Sequence, residues 1–177
     1  RRQRQMCIRD RVTWTINRAT VSVPSQSGSL TYTGSAQSPT WAGYDSSKMT
    51  IGGTTSGTNA GSYNATFTPG SNYQWTDGGS AEKAVAWTIG KATGSLSLNK
   101  SSISLNVSKM SDTITVTRAG NGTISAVSNA PSVASVSVSG NVVTVTGKAK
   151  GNATITVSVA ADTNYTCLLY TSPSPRD

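Results

Sequence analysis

The sequence predicts an all-β protein of two tandem β-sandwiches, the second without its last strand. Three observations carry that reading. Apolar and polar residues alternate strictly over short runs, which is the period of a strand with one buried face. The runs recur about every 8–12 residues with turn residues between them. Ser, Thr, Gly, Val and Asn dominate while Leu, Glu and Lys are scarce, and no stretch sustains a helical period. No apolar run approaches the length of a membrane span.

Taken in order, "VTWTINRA" (12–19) is read as a strand and "VAWTIGKA" (85–92) as its echo. Trp14 aligns with Trp87, Ile16 with Ile89 and Ala19 with Ala92, a spacing of 73 residues. A second echo sets "SNYQW" (71–75) against "TNYT" (163–166). Further on come "SISLNVS" (102–108), "TITVTRA" (113–119), "ASVSVSG" (134–140), "NVVTVTG" (141–147) and "ATITVSV" (153–159). Each puts aliphatics on one face and Ser or Thr on the other. Alternation assigns Ile103, Leu105, Val107, Ile114, Val116, Val136, Val138, Val143, Val145, Ile155 and Val157 to a core. Gly140-Asn141 reads as a tight hairpin turn, and Asn121-Gly122 and Lys150-Gly151-Asn152 punctuate other runs.

The two ends differ from the rest. "RRQRQMCIRDR" opens the chain and "CLLYTSPSPRD" closes it. No apolar stretch follows the basic head, so it does not read as a secretory signal. Both ends resemble translated transposase-type sequencing adapter. The codons CGT CGG CAG CGT CAG ATG TGT ATA AGA GAC give residues 1–10, and the reverse complement of the segment from Met6 onward encodes "CLLYT" (167–171). Residues 1–11 and 167–177 are therefore expected to lie outside the native protein. Setting them aside leaves nine of fifteen basic residues and five of seven acids, so the net charge falls from +8 to +4. The inference of a nucleic-acid partner falls with it. Both cysteines, Cys7 and Cys167, leave as well, so cysteine usage says nothing about compartment.

The echoes divide the remainder. Residues 12–19 read as the last strand of a preceding module, 20–92 as one complete module and 93–166 as a second, truncated one, with the joint near Lys91–Gly94. The open edge of that second module is expected to draw in "CLLYT", and Pro173 and Pro175 to stop the pairing there.

"VASVSVSGNVVTVTGKAKGNATITV" and its flanks, over nearly all of 95–166, resemble the bacterial Ig-like group 2 module. "LTYTG", "GTNAGSYNATFTP" and "NYQWTDG" in 20–92 are similar, more loosely, to Ig-like repeats of bacterial surface or phage virion proteins. "NAGSYNATF" (59–67) resembles the tyrosine corner of Ig folds, with Gly61 permitting the corner and the Tyr63 hydroxyl bonding upstream backbone. The resemblance implies a non-enzymatic structural or adhesive array, extracellular, on a cell surface or on a virion. Its implied partners are neighbouring Ig-like modules of the same chain and a cell-surface glycan or protein. Two alternatives are a phage tail or virion decoration module binding host glycans, and a noncatalytic appendage of a secreted glycoside hydrolase.

The residue types fit a non-enzymatic role. There is no histidine, which excludes Ser-His-Asp, Cys-His and His-zinc chemistry within this chain. Gly52-Gly53 and Gly78-Gly79 lack a following helix and read as turns rather than phosphate loops. The five remaining acids, Asp45, Asp77, Glu82, Asp112 and Asp162, each stand in a polar stretch and read as solvated turn carboxylates, not a glycosidase pair. Asp162-Thr163-Asn164 or Asp77-Gly78-Gly79 supply too few of the roughly six to eight oxygens that calcium takes. No catalytic residue, metal or cofactor is expected. The Asn-x-Ser/Thr triplets at Asn64, Asn106, Asn121, Asn152 and Asn164 read as chance in this composition. One candidate platform remains. Trp41, Tyr44 and Trp75 could stack a sugar, although core packing is the commoner use of such aromatics.

Overall fold

The computed structural model describes residues 12–171. Among them there are fifteen strands and no helix, so the protein is all-β. The strands run β1 (Ala19–Val21), β2 (Ser25–Ser27), β3 (Leu30–Thr31), β4 (Thr40–Ala42), β5 (Met49–Gly53), β6 (Gly61–Pro69), β7 (Tyr73–Trp75) and β8 (Lys83–Gly90). They continue as β9 (Leu96–Leu98), β10 (Ser111–Arg118), β11 (Ile124–Ser128), β12 (Ala134–Ser139), β13 (Val142–Gly147), β14 (Ile155–Val159) and β15 (Leu168–Thr171).

Two separate cores divide the chain between β8 and β9. In the first unit the main sheet has the order β3-β8-β6-β5, with smaller pairs β1-β7 and β2-β4. Its core gathers Met49, Ala65, Phe67, Trp75, Trp87 and Ile89. Odd-numbered residues of β6 and β8 face inward, as alternation requires. Tyr63 sits opposite Trp87 in the antiparallel register and stacks on it, ring centroids 4.6 Å apart. The Tyr63 hydroxyl donates to the Asn59 carbonyl at 2.6 Å, the corner bond expected from its setting. Gly57 lies beneath that ring, where a Cβ would come within 2.5 Å of it.

In the second unit a sheet of order β12-β13-β10-β9 faces one of order β11-β14-β15. Ile114, Val116, Val143 and Val145 on one side meet Ile124, Ile155, Val157 and Val159 on the other. Gly140 has φ +57° at the first central position of the two-residue hairpin between β12 and β13. The core expected from alternation is present for Ile114, Val116, Val143, Val145, Ile155 and Val157, and Ile103, Leu105, Val136 and Val138 pack against it half-buried.

Two strands expected from alternation do not form. Residues 102–108 make a loop that ends in a turn. The Asn106 side chain accepts from the Ser108 and Lys109 amides at 2.9 Å each, and Asn106 and Lys109 bridge. This side-chain bonding competes with strand pairing, and Val107, at the turn's tip, is 94% exposed rather than in the core. Residues 12–18 are likewise without strand pairing; Trp14 is 88% and Ile16 97% exposed.

At the other end, β15 pairs antiparallel with β14, Val159 opposite Leu168 and Thr156 opposite Thr171. The "CLLYT" segment thus lies along the β14 edge, as its apolar character led us to expect. Residues 1–11 and 172–177, including Pro173 and Pro175, lie outside the described residues.

Candidate functional site

The densest set of specific polar contacts outside the two cores lies where the units meet. It is built on a turn at residues 162–165. The Asp162 carboxylate nucleates that turn. Its Oδ1 accepts from the Asn164 amide at 2.8 Å and the Tyr165 amide at 2.7 Å. Its Oδ2 accepts from the Asn121 amide at 2.6 Å. Those three backbone N–H bonds hold the carboxyl below its ordinary range, because each favours the charged form. Gly120, at φ +80°, makes room: a Cβ there would lie 2.3 Å from Asp162 Oδ2 and 2.6 Å from the Tyr165 ring.

With the turn fixed, its residues reach the first unit along three routes. The backbone continues a short ladder, with the Ala92 amide donating to the Asn164 carbonyl and the Thr166 amide to the Ala92 carbonyl, each at 2.9 Å. The Asn164 side chain spans the gap, its Oδ1 accepting from the Ala60 amide at 2.8 Å and its Nδ2 donating to Asn59 Oδ1 at 3.2 Å. The Tyr165 ring meets Tyr32 edge-on, centroids 5.4 Å apart. Lys91 Nζ adds a bond to the Asp162 carbonyl at 2.5 Å.

The sequence offered Asp162 and Asn164 to a metal only as weak calcium oxygens. Both Asp162 carboxylate oxygens instead accept backbone N–H groups, and the Asn164 amide is bonded at both ends. Among the described residues no three His, Cys, Asp or Glu side chains gather as a metal site. The contribution of Tyr32 and of Asn59-Ala60 was missed, since neither belongs to any periodic pattern. The signal that could have found the joint was the paired echoes, because Ala92 belongs to one and Asn164-Tyr165 to the other.

The aromatic platform is not assembled as read. Trp75 is fully buried, and its Nε1 donates to the Ala81 carbonyl at 2.7 Å. A ring with no solvent-facing surface cannot stack a sugar. Trp41 and Tyr44 are half-buried and both converge on Phe67, with centroids 4.9 and 5.7 Å from it. Their chief contact is the first core.

Of the acids, Asp112 differs from expectation: it lies in β10, not in a loop, and its side chain is mostly covered by Lys100 at 2.8 Å and Lys109 at 2.9 Å. The two lysines, Lys100 first, depress its pKa. Asp45 pairs with Lys48 at 2.8 Å. Asp77 pairs with Lys83 and accepts from the Gly79 amide at 2.9 Å. These carboxylates are held ionised by local partners, which suits tying loops down rather than proton transfer.

A shallow cavity of about 310 Å³ opens in the second unit, lined by Leu98, Ile103, Leu105, Val133 and Ile155 among others. Its walls are mainly core aliphatics, and the Lys100 at its rim is paired with Asp112. No family model matches the chain, and neither a curated protein nor a solved structure matches it.

Proposed function

We propose that this chain is part of a non-enzymatic tandem array of Ig-like β-sandwich modules. In this reading it works as a spacer or stalk on a secreted, cell-surface or virion protein. The joint carries the proposal. Contacts between independently folded domains are usually loose by default. Here one turn spends a carboxylate, a carboxamide and an aromatic ring on holding two units in a fixed relation. That investment suits a stalk, whose task is to transmit position, and serves no chemistry that the side chains nearby could perform. Residues 1–11 and 167–177 are taken as adapter-derived; a longer genomic read across both borders tests that directly.

The spacer reading is tested by measuring inter-unit orientation in solution, with residual dipolar couplings and small-angle scattering on the whole chain. A single shared alignment tensor is expected. Two independently tumbling units would end the reading.

A second reading, weak adhesion to surface glycans, rests on the half-exposed Trp41 and Tyr44 alone. A glycan array with the wild-type chain and Trp41→Ala tests it. Binding lost in the variant while folding persists would favour it.

A further inference from the structure

The two sequence echoes meet each other in space, and they do so twice. Ala92 bridges Tyr165 in parallel, and its amide donates to the Asn164 carbonyl at 2.9 Å. Ala19 pairs with Tyr73 in parallel, and its amide donates to the Asn72 carbonyl at 3.0 Å. The same register joins an Ala that stands three residues after a Trp-Thr-Ile triplet to an Asn-Tyr pair. In the Ala92 case the strand before it is β8, whose Trp87 and Ile89 are buried in the first core. In the Ala19 case the segment before it is Val12–Arg18, which forms no strand and whose Trp14 and Ile16 stand almost wholly exposed.

Comparing the two segments position by position sharpens the point. Residues 12–19 and 85–92 are identical at Val, Trp, Thr, Ile and Ala. They differ at Thr13 against Ala86, Asn17 against Gly90 and Arg18 against Lys91. Ala86, Gly90 and Lys91 are all exposed. Two of the three differences, at Ala86 and Gly90, fall on the outward side of β8 and the third, at Lys91, lies just beyond its end, while both fully buried side chains are kept. An exposed segment under no packing constraint would have no reason to preserve the inward face and vary the outward one.

We infer that Val12–Arg18, together with Asn72-Tyr73, is a docking surface for the body of another module of the residue 20–92 kind, lacking only its own last strand. This deepens the array reading and rests on it. The occupant is fixed by what covers the equivalent strand here. It would present a β6-like strand antiparallel to Val12–Arg18, a core that accepts Trp14 and Ile16, and a carbonyl for the Trp14 N–H where Thr54 serves Trp87 at 2.7 Å. Main-chain pairing along an open strand supplies affinity, and the inward side chains supply specificity. Asn72 is exposed, as a residue that would receive the partner's Asn-Ala corner must be, just as Asn164 receives Asn59-Ala60.

The test places residues 20–84 directly ahead of Val12 in the full chain, so that the added body can close only by taking Val12–Ala19 as its last strand. The expected result is a third folded unit: amides 12–18 gain exchange protection, the Trp14 emission shifts to the blue, and Ile16→Asp abolishes both while leaving the two original units folded. An added segment that stays protease-sensitive, with amides 12–18 unprotected, overturns the inference. In that event the couplings between the original two units still report on the array reading separately. A second variant checks the fit without any extension. Ala86→Thr, Gly90→Asn and Lys91→Arg together turn β8 into the sequence of residues 12–19. Gly90 does not have a positive φ, and a Cβ there would lie 3.4 Å from the Leu30 carbonyl, an ordinary contact. The first unit should keep its unfolding midpoint; its collapse would show that the Val12–Ala19 sequence cannot serve such a body.

Discussion

The two units solve one problem with different side chains. The first sets two long strands, β6 and β8, among six shorter ones, five of them of two or three residues, and fills its core with Trp75, Trp87 and Phe67. The second has strands of more even length and fills its core almost wholly with Val and Ile. An aromatic ring buries about 150–250 Å² from a single position, so few well-placed residues suffice where pairing is sparse. β-branched aliphatics bury less each, but every second residue of β10, β13 and β14 contributes. The first unit should therefore fail at single residues, and the second should degrade by increments except where backbone is crowded.

The largest expected effect breaks the first unit alone. Trp87→Ala removes a ring that is 1% exposed, unstacks Tyr63 and leaves the Thr54 carbonyl without its donor. A loss of about 3–5 kcal/mol is expected. Calorimetry should show one transition moving down and the transition of the second unit nearly in place. If both transitions move together, the joint couples the units more strongly than their separate cores suggest.

The second unit has its own point of failure, and it is backbone. A Cβ at Gly122 would fall 1.8 Å from the Ala160 carbonyl oxygen, so something must shift. Gly122→Ala is expected to cost about 1–3 kcal/mol, read as a lower urea midpoint of the second transition only. A wild-type midpoint would mean that the loop before β11 yields more easily than its contacts indicate.

How much of this was legible in the sequence depends on which forces place each residue. β10, β12, β13 and β14 were legible because period-2 alternation and a buried face state the same thing twice. Their hairpin was legible because Gly140 adopts a positive φ that other residues avoid. Residues 102–108 carry the same alternation, yet the Asn106 side chain bonds its own backbone and turns the chain instead. Trp75 took the commoner of the two uses read for it, core packing, but its indole N–H donating to the Ala81 carbonyl is a pairing no spacing reveals. The joint was hidden because the Asn164 side chain reaches Asn59 and Ala60, more than a hundred residues away in sequence, through bonds that no local pattern announces.

A smaller effect concerns that joint. The folded pKa of Asp162 is lowered by the Asn121, Asn164 and Tyr165 amides. A depressed carboxyl contributes stability that is full above its unfolded value, about 4, and is lost as pH falls through the folded value. Acidifying below about pH 4 should therefore loosen the joint before either core melts. Asp45, Asp77 and Asp112 titrate in the same direction, so Asp162→Asn at neutral pH isolates the term. Faster exchange of the Ala60 and Asn164 amides, with core amides unchanged, is the expected result. Unchanged exchange would show that Tyr165, Asn164 and the Ala92 ladder hold the joint without the carboxylate.

The smallest effect decides between pattern and turn. Val107 and Val116 occupy equivalent places in alternating runs, and alternation alone assigns both to the core. In the structure Val116 is 1% exposed and Val107 94%. Replacing valine by threonine keeps the shape and adds a hydroxyl. Val116→Thr buries that hydroxyl among aliphatics and should cost about 1–3 kcal/mol. Val107→Thr places it in water, and a change within about 0.5 kcal/mol is expected. Equilibrium urea unfolding of the two variants measures both. Equal losses would mean that residues 102–108 pair as a strand in solution and bury Val107. A loss confined to Val116 means that the alternation of residues 102–108 stops at the Asn106 turn, with Ile103 and Leu105 packed against the core and Val107 left in water.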